Sequence, residues 1–311
     1  MINRRKYAIN DIYFFAYARE YLELGLFDTA LIGTIGGIDG WYLTMKWELI
    51  NNAAYFYPII YARGMHPKLK SRYFFDILKN NGSSEVPCEY SADLRHSVGA
   101  TGRKKTVGEL LNEENGYLTN GGIIIEYGIQ IEGILSPNDI WTFNFRDPVF
   151  DCQEKSNMII FKKIRYGETK FFYCHKQLLT HHSTYFNSNS KENQIIELTD
   201  EDLIHFNHFL QLSHGVRDRT YRYATINALK YAQKYKLFNV IQLIDQFIIL
   251  DRWDFGAFLP QKMSYDLKHC LALFLKEQKT SKELAEKLKK VNIETMIGEA
   301  MKKCVKRFLE F

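Results

Sequence analysis

The side chains best suited to chemistry lie together near the middle of the chain. Cys174 is followed directly by His175, and His181 and His182 come soon after. A thiol beside an imidazole is typical of a cysteine hydrolase, and both residue types bind zinc. Neighbouring residues on a strand point to opposite faces, however, and neighbours on a helix diverge by about 100°. We therefore predict neither a Cys174 nucleophile nor a metal site.

Other patterns associated with cofactors or catalysis are also weak. The glycine-rich residues 33–40 are followed by a strand pattern, and the glycines of residues 99–106 do not have P-loop spacing. Two acidic groups, Glu113-Glu114 and Asp200-Glu201-Asp202, lie before a turn and in a predicted first helical turn. We expect no cofactor, and we predict that the protein is not an enzyme.

The composition is that of a globular protein, and the length is sufficient for two domains. Of 311 residues, 46% are hydrophobic, 25% are charged and 15% are aromatic. The net charge is +5, and residues 276–311 carry ten Lys or Arg against six Asp or Glu. The excess lies on a helical segment and not in a recognisable nucleic-acid-binding fold, so we expect no nucleic-acid partner.

The cysteine pattern and the N-terminus bear on the cellular compartment. The five cysteines are scattered and form no C-x-x-C pair, so the sequence predicts neither a disulfide framework nor a zinc ribbon. The basic N-terminus is not followed by an apolar signal core, and no apolar run approaches the roughly 18 residues of a membrane span. We expect a reducing cytoplasmic or nuclear setting and no membrane partner.

The first part of the chain reads as antiparallel β structure. Four stretches alternate apolar and polar residues with the period of a half-buried strand. Their apolar positions are Trp41, Leu43, Met45, Trp47 and Leu49; Tyr55, Tyr57, Ile59 and Tyr61; Tyr73, Phe75 and Ile77; and Ile123, Ile125, Tyr127, Ile129 and Ile131. We predict a β-sandwich over residues 1–134, followed by a linker over residues 135–146.

The second part of the chain reads as a mixture of strands and helices. Residues 157–161 and 170–174 predict a strand pair, residues 195–198 predict a short strand, and amphipathic helices follow. Thr199 is the predicted N-cap of the first of these helices, and Thr280 and Glu283 form a capping box farther along. We predict an α/β domain over residues 147–250 and a helical extension over residues 251–311.

The segment between the strand pair and the short strand resembles the signature of BTB/POZ domains, H-K-x-x-L-x-x-x-S-x-Y-F. The residues that match are His175, Lys176, Leu179, Ser183, Tyr185 and Phe186. The order of hydrophobic segments before it resembles a MATH domain, whose fold is a TRAF-C-like sandwich. Taken together, nearly the whole chain is similar to proteins that carry a MATH domain followed by a BTB domain.

The MATH resemblance implies a groove that binds short extended peptides by β-augmentation. By position, the candidate groove residues are Tyr73, Tyr90 and Thr101. The aromatic Trp-Gly-Phe wall of the family aligns with Gly99-Ala100-Thr101 here. We therefore expect a ligand that differs from the known peptides of the family.

The BTB resemblance implies a homodimer that docks on a cullin scaffold. Its candidate cullin surface comprises Tyr185, Phe186, Ser190 and Glu192, whereas His175, Lys176, Leu179 and Ser183 have structural roles. The family's Asp-Val at the first strand is Asn157-Met158 here, and Ser190 stands where the family has an apolar anchor. Truncation of an interface anchor costs on the order of 2 kcal/mol or more.

The sequence thus predicts an adaptor that makes no covalent chemistry. It would recruit an unknown client protein through the MATH-like sandwich to a cullin-based ubiquitin ligase bound at the BTB-like domain. The alternative is a scaffold or decoy that self-associates through the BTB-like part without recruiting a ligase.

Overall fold

The structure is a computed structural model of the 311-residue chain. It describes residues 7–83, 88–95, 98–148, 157–165, 167–188, 195–218, 222–250 and 263–311. Two compact units are distinguished, Met1–Cys174 with Glu192–Leu198, and His175–Lys191 with Thr199–Phe311. Each unit is described by itself.

Most of the first unit is built from short antiparallel strands. In chain order they are β1 (Ile9–Phe15), β2 (Ala30–Ile35), β3 (Ile38–Ile50), β4 (Ala53–Ala62), β5 (Leu69–Leu78), β6 (Cys88–Leu94), β7 (Ala100–Thr101), β8 (Lys105–Thr106), β9 (Leu118–Thr119), β10 (Gly122–Leu135) and β11 (Trp141–Phe143). One sheet has the order β1-β10-β5-β6, with β9 and β11 also paired to β10. The other has the order β2-β3-β4-β7, with β8 also paired to β4. An antiparallel sandwich was predicted, and the antiparallel sheets are confirmed.

Local sequence explains the connections within these sheets. Gly36 and Gly37 have φ of 65° and 73°, a region that favours glycine, and they close the hairpin between β2 and β3. Helix α1 (Ala18–Leu24) ends at Gly25, and helix α2 (Val107–Leu111) starts with a capping box formed by Thr106 and Glu109. A single 3-10 turn, Glu113–Asn115, follows α2.

The central strand β10 follows the predicted alternation closely. All five of its predicted apolar positions are buried, with exposed fractions between 0% and 4%. They belong to one hydrophobic core that also includes Trp41, Leu43 and Met45 of β3. Trp47 and Leu49 of the same strand were predicted to be buried, but they are 52% and 59% exposed.

The predicted inward face of β4 was wrong. The core is contacted by Phe56, Ile60 and Ala62, which alternate with the tyrosines that the pattern had selected. The tyrosines at positions 55, 57 and 61 are only half-buried. Both faces of β4 carry large side chains, and a shift of one residue exchanges the two faces of a strand.

The remaining strands of the first unit form a second, smaller sheet. Its strands are β12 (Met158–Arg165), β13 (Glu168–His175) and β14 (Ile195–Glu197), in the order β13-β12-β14. Strand β14 runs parallel to β12, with Ile160 opposite Ile195. The three strands occur where the sequence predicts them.

The second unit is helical in its described residues. Its helices are α3 (Lys176–His182), α4 (Thr184–Ser188), α5 (Leu203–Ser213), α6 (Arg222–Lys234), α7 (Phe238–Leu250), α8 (Lys268–Glu277), α9 (Ser281–Leu288) and α10 (Gly298–Leu309), with a 3-10 turn at Ile293–Thr295. Leu271, Phe274, Leu284 and Ala300 share a core that joins α8, α9 and α10. The helical content predicted for this part of the chain is confirmed.

One of the two predicted helix starts is correct. The Thr280 hydroxyl accepts the backbone N–H of Glu283 at the start of α9, as predicted. Helix α5, by contrast, starts from Asp202, whose carboxylate accepts the N–H groups of Ile204 and His205. Thr199, the predicted cap, lies before this turn. Both residues are good caps, so local sequence does not choose between them.

The compact units differ from the predicted domain boundaries. The three-stranded sheet belongs with the sandwich by its contacts, and residues 135–146, the predicted linker, include β11. The coarse class, antiparallel sheets together with helices, is as predicted. No helix among the described residues is both long enough and apolar enough to cross a membrane.

Candidate functional site

Ser183 lies at the centre of a corner formed by residues of the BTB-like signature. Its hydroxyl donates to the carbonyl oxygen of Tyr235 at 2.6 Å. The Ser183 hydroxyl oxygen also accepts the backbone N–H of Tyr185 at 3.1 Å and that of Phe186 at 3.3 Å. Ser183 therefore caps α4 and ties it to the end of α6, and only 2% of the residue is exposed.

The aromatic residues after Ser183 fill the interior of this corner. The Phe186 ring stacks on the Tyr235 ring, with centroids 5.7 Å apart and an interplanar angle of 12°. Tyr185 meets Tyr235 edge to face, with centroids 5.4 Å apart. Because Phe186 is 1% exposed, it acts as a core residue in this structure, although the sequence places it on the candidate cullin surface. Tyr185 is half-buried.

His175 contributes its backbone to the same corner. Its N–H donates to Nε2 of His214 at 3.3 Å, while Nδ1 of His214 lies 2.8 Å from the carbonyl oxygen of Leu210. Burial lowers the pKa of His214 to about 4, so its ring is neutral near pH 7 and can accept at Nε2 and donate at Nδ1. We name the corner of His175, Ser183, Phe186, His214 and Tyr235 the signature corner.

The remaining signature residues are also structural in character. Leu179 is fully buried, and Lys176 is the first residue of α3 and half-buried. The other two residues of the candidate cullin surface, Ser190 and Glu192, lie outside the described residues.

The groups suspected of chemistry are not arranged for it. Cys174 is 1% exposed, and burial raises the pKa of its thiol well above its usual value, so the nucleophilic thiolate is disfavoured. His181 and His182 are exposed, with ring centroids 4.8 Å apart. Among the described residues, no group of three His, Cys, Asp or Glu side chains is placed to hold a metal ion.

The three candidate groove residues lie together in the first unit. Tyr73 of β5 is directly opposite Tyr90 of β6, and their rings stack with centroids 5.5 Å apart. Burial raises the pKa of Tyr73, and hydrogen bonding by Thr101, on β7 of the other sheet, lowers it in part. We name these three residues the sandwich rim.

The sandwich rim is open on one side. Strands β6 and β7 are the last strands at one end of their respective sheets. Tyr73 is 5% exposed, but Tyr90 is half-buried and Thr101 is exposed. An edge strand next to a partly exposed aromatic ring is a geometry suited to adding a peptide strand.

Glycines hold β7 close to its neighbour. A Cβ atom on Gly99 would lie 2.5 Å from the carbonyl oxygen of Ile60, and one on Gly102 would lie 2.6 Å from Cγ of Pro58. The segment from Gly99 to Gly102 thus lies flat against β4. This close approach gives a physical reason for glycine at positions 99 and 102, which the sequence alone could not supply.

The sequence reasoning missed the outer face of the β2-β3-β4-β7 sheet. Tyr42 and Tyr61 are opposite each other on β3 and β4, with centroids 6.1 Å apart. Arg63 lies 4.0 Å from the centre of the Tyr42 ring, and Lys104 lies 5.5 Å from that of Tyr57. The alternating tyrosines of β4 were the available signal, but they were counted only as the apolar positions of a half-buried strand.

A pocket in the second unit also lacked a sequence signal. Its volume is about 610 Å³, and Asp245 and His269 are among its lining residues. The Asp245 carboxylate accepts the N–H groups of His269 and Cys270, each at 2.9 Å, and lies 2.9 Å from Nδ1 of His269. Asp245, on α7, thus stabilises the start of α8, and this is a sufficient structural role for it.

Comparisons with known proteins give no family for this chain. No family model matches it, and no curated protein matches it. One solved structure with some similarity is the Salmonella enterica trimeric lipoprotein SadB, at 9% sequence identity and a TM-score of 0.16. The match covers 36% of this chain and 63% of that one, so the chain spans less than two thirds of the length of that protein.

Proposed function

We propose that this protein is a non-enzymatic adaptor with a MATH-like sandwich and a BTB-like domain. It binds a client polypeptide at the sandwich and a cullin scaffold through the BTB-like part, which also forms a homodimer. The observation that carries the proposal is the sandwich rim, where all three predicted groove residues meet beside two open sheet edges.

The element order from β12 onward gives separate support. The BTB resemblance implies a strand pair, a signature helix, a short parallel strand and further helices. The chain has β12, β13, α3, α4, β14, α5, α6 and α7 in that order. The signature residues Leu179, Ser183 and Phe186 are buried in contacts that hold these helices together, as expected of residues that define a fold.

The adaptor proposal is tested with the full chain and the purified amino-terminal domain of a cullin of the BTB-binding type. Isothermal titration should give saturable binding, and adding the cullin's ring-finger partner, charged E2 and ubiquitin should transfer ubiquitin to the client. Absence of cullin binding at micromolar concentrations would remove the ligase part of the proposal.

A scaffold or decoy that self-associates without a ligase is the second candidate. It is favoured by one observation: Phe186 is buried, so this aromatic ring is not available on the candidate cullin surface. The substitution Ser190→Leu places an apolar side chain at the anchor position. A gain in cullin affinity of roughly tenfold favours the adaptor, whereas no gain favours the scaffold.

A further inference from the structure

Helix α10 has two apolar faces, and the described residues cover only one of them. Ala300 and Cys304 are 1% and 4% exposed and contact the core between α8 and α9. Met301, Val305 and Phe308, on the neighbouring face, are 37%, 52% and 45% exposed. Their spacing of four and three residues places them in one line along the helix.

This exposed line forms one wall of a groove. The groove has a volume of about 410 Å³, and its opposite wall is made by Ala285 and Leu288 of α9, with Cys304 between the walls. An apolar groove between two helices, with large side chains at such spacing, has the shape that accepts one face of an amphipathic helix.

The charges around the groove indicate which kind of helix it accepts. Lys289 lines the groove from the α9 side, and Lys302 follows Met301 on α10. Residues 276–311 contain ten Lys or Arg against six Asp or Glu. A second copy of the chain would bring two such net-basic segments together, whereas an acidic partner would complement their positive charge.

The ion pairs already present on the rim do not oppose this binding. Lys289 lies 2.6 Å from Glu286, and Lys302 lies 2.7 Å from Glu299, but all four side chains are at least 60% exposed. Exposed pairs of this kind contribute little to stability, so carboxylates of a partner can replace them at little cost.

We infer that the groove between α9 and α10 is a docking site for an amphipathic helix of another protein, with leucine-type residues on one face and acidic residues beside it. This interaction uses residues other than those of the sandwich rim and of the candidate cullin surface.

The test uses two labelled 16-residue peptides and fluorescence anisotropy with the full chain. Both carry leucines at positions i, i+3, i+4 and i+7 of a helix; one has glutamate at its remaining charged positions, and its twin has lysine there. The wild-type protein should bind the glutamate peptide at least roughly tenfold more tightly, and added salt should reduce that difference. Equal binding of the twins, or binding of neither at millimolar concentration, would overturn the inference.

Two variants separate the groove from general stickiness. Val305→Glu should weaken binding of the glutamate peptide by roughly tenfold or more, whereas Met65→Glu, at a residue 90% exposed in the other unit, should leave it unchanged. Val305→Ala, checked for folding by circular dichroism, should give a smaller loss in the same direction. Unchanged binding by Val305→Glu would contradict the assignment.

The oligomeric state tests the competing occupant. Sedimentation velocity without peptide should give the same mass for wild type and Val305→Glu, because a partner helix and not a second copy fills the groove. A mass that falls in Val305→Glu would assign the groove to self-association and overturn the inference.

Discussion

The signature corner and the sandwich rim are built from similar groups and differ in what they leave exposed. At the corner, the Ser183 hydroxyl is surrounded by three hydrogen-bond partners, and the adjacent Phe186 is 1% exposed. At the rim, Tyr73 is bonded to Thr101, but Thr101 is exposed on an edge strand. The residues that resemble the BTB signature therefore stabilise the fold, whereas the surface proposed to bind a client has a weak sequence signature.

The largest effect should come from the interior of the corner. Phe186→Ala removes a ring stacked on Tyr235 and should lower the free energy of unfolding by about 3–5 kcal/mol. Phe308→Ala, at a phenylalanine that is 45% exposed, should cost about 1 kcal/mol or less. Urea denaturation of both variants measures the difference, and similar losses would show that Phe186 is not a core residue.

Acid should weaken the corner through His214. Its pKa is lowered to about 4 in the folded state from 6.5, so the unfolded chain binds the proton more readily between these values. Neutral His214 therefore stabilises the folded state fully above pH 6.5. This contribution of about 3 kcal/mol is lost as the pH falls toward 4.

His214→Gln keeps a donor and an acceptor but does not titrate. Denaturation measured from pH 7.5 to pH 4 should therefore show a shallower loss of stability for this variant than for the wild type. Half-buried His208, whose pKa is also lowered to about 4, contributes equally to both proteins and cancels in the comparison. Parallel curves would exclude His214 as the titrating group.

Loss of the Ser183 hydroxyl should have an intermediate effect. Ser183→Ala removes a helix cap and leaves the Tyr235 carbonyl without this donor, which should destabilise the protein by about 2 kcal/mol. Thr180→Ala is the control, because its hydroxyl bonds only within α3, to Lys176 and Gln177 carbonyls, and should cost under about 0.5 kcal/mol. Equal melting temperatures for the two variants would argue against the cap.

The smallest effect is expected at the rim. Tyr73→Phe removes the oxygen that accepts from Thr101 and should cost about 1 kcal/mol, while Tyr17→Phe, at a tyrosine that is 67% exposed, should be neutral. The same change frees the Thr101 N–H, so its amide should exchange with deuterium faster. Unchanged exchange at Thr101 would mean that the Tyr73 hydroxyl does not protect it.

Local patterns predicted the elements of this chain better than its long-range contacts. The alternation from Ile123 to Ile131 predicted the buried face of β10 because the intervening positions carry only one large apolar side chain, Ile124. Strand β4 carries large side chains on both faces, so the same reasoning chose the wrong one. Asp245 caps a helix that begins 23 residues later, and no local spacing could indicate that.

The candidate site divides in the same way. The sequence resemblance selected Tyr73, Tyr90 and Thr101, which do lie together. It could not show that Thr101, on the edge strand β7, is a hydrogen-bonding neighbour of the Tyr73 hydroxyl. It also placed Phe186 on a surface, because a motif match gives a residue's position in the chain and not its burial.

The most direct test of the account asks whether a polypeptide binds at the sandwich rim. Replacing Thr101 with the photo-crosslinking residue p-benzoylphenylalanine, in the full chain and in its native cells, should yield discrete crosslinked protein bands after irradiation. The same residue in place of Met65 should give none. Identical bands at both positions, or none at Thr101, would contradict the claim that the rim binds a client.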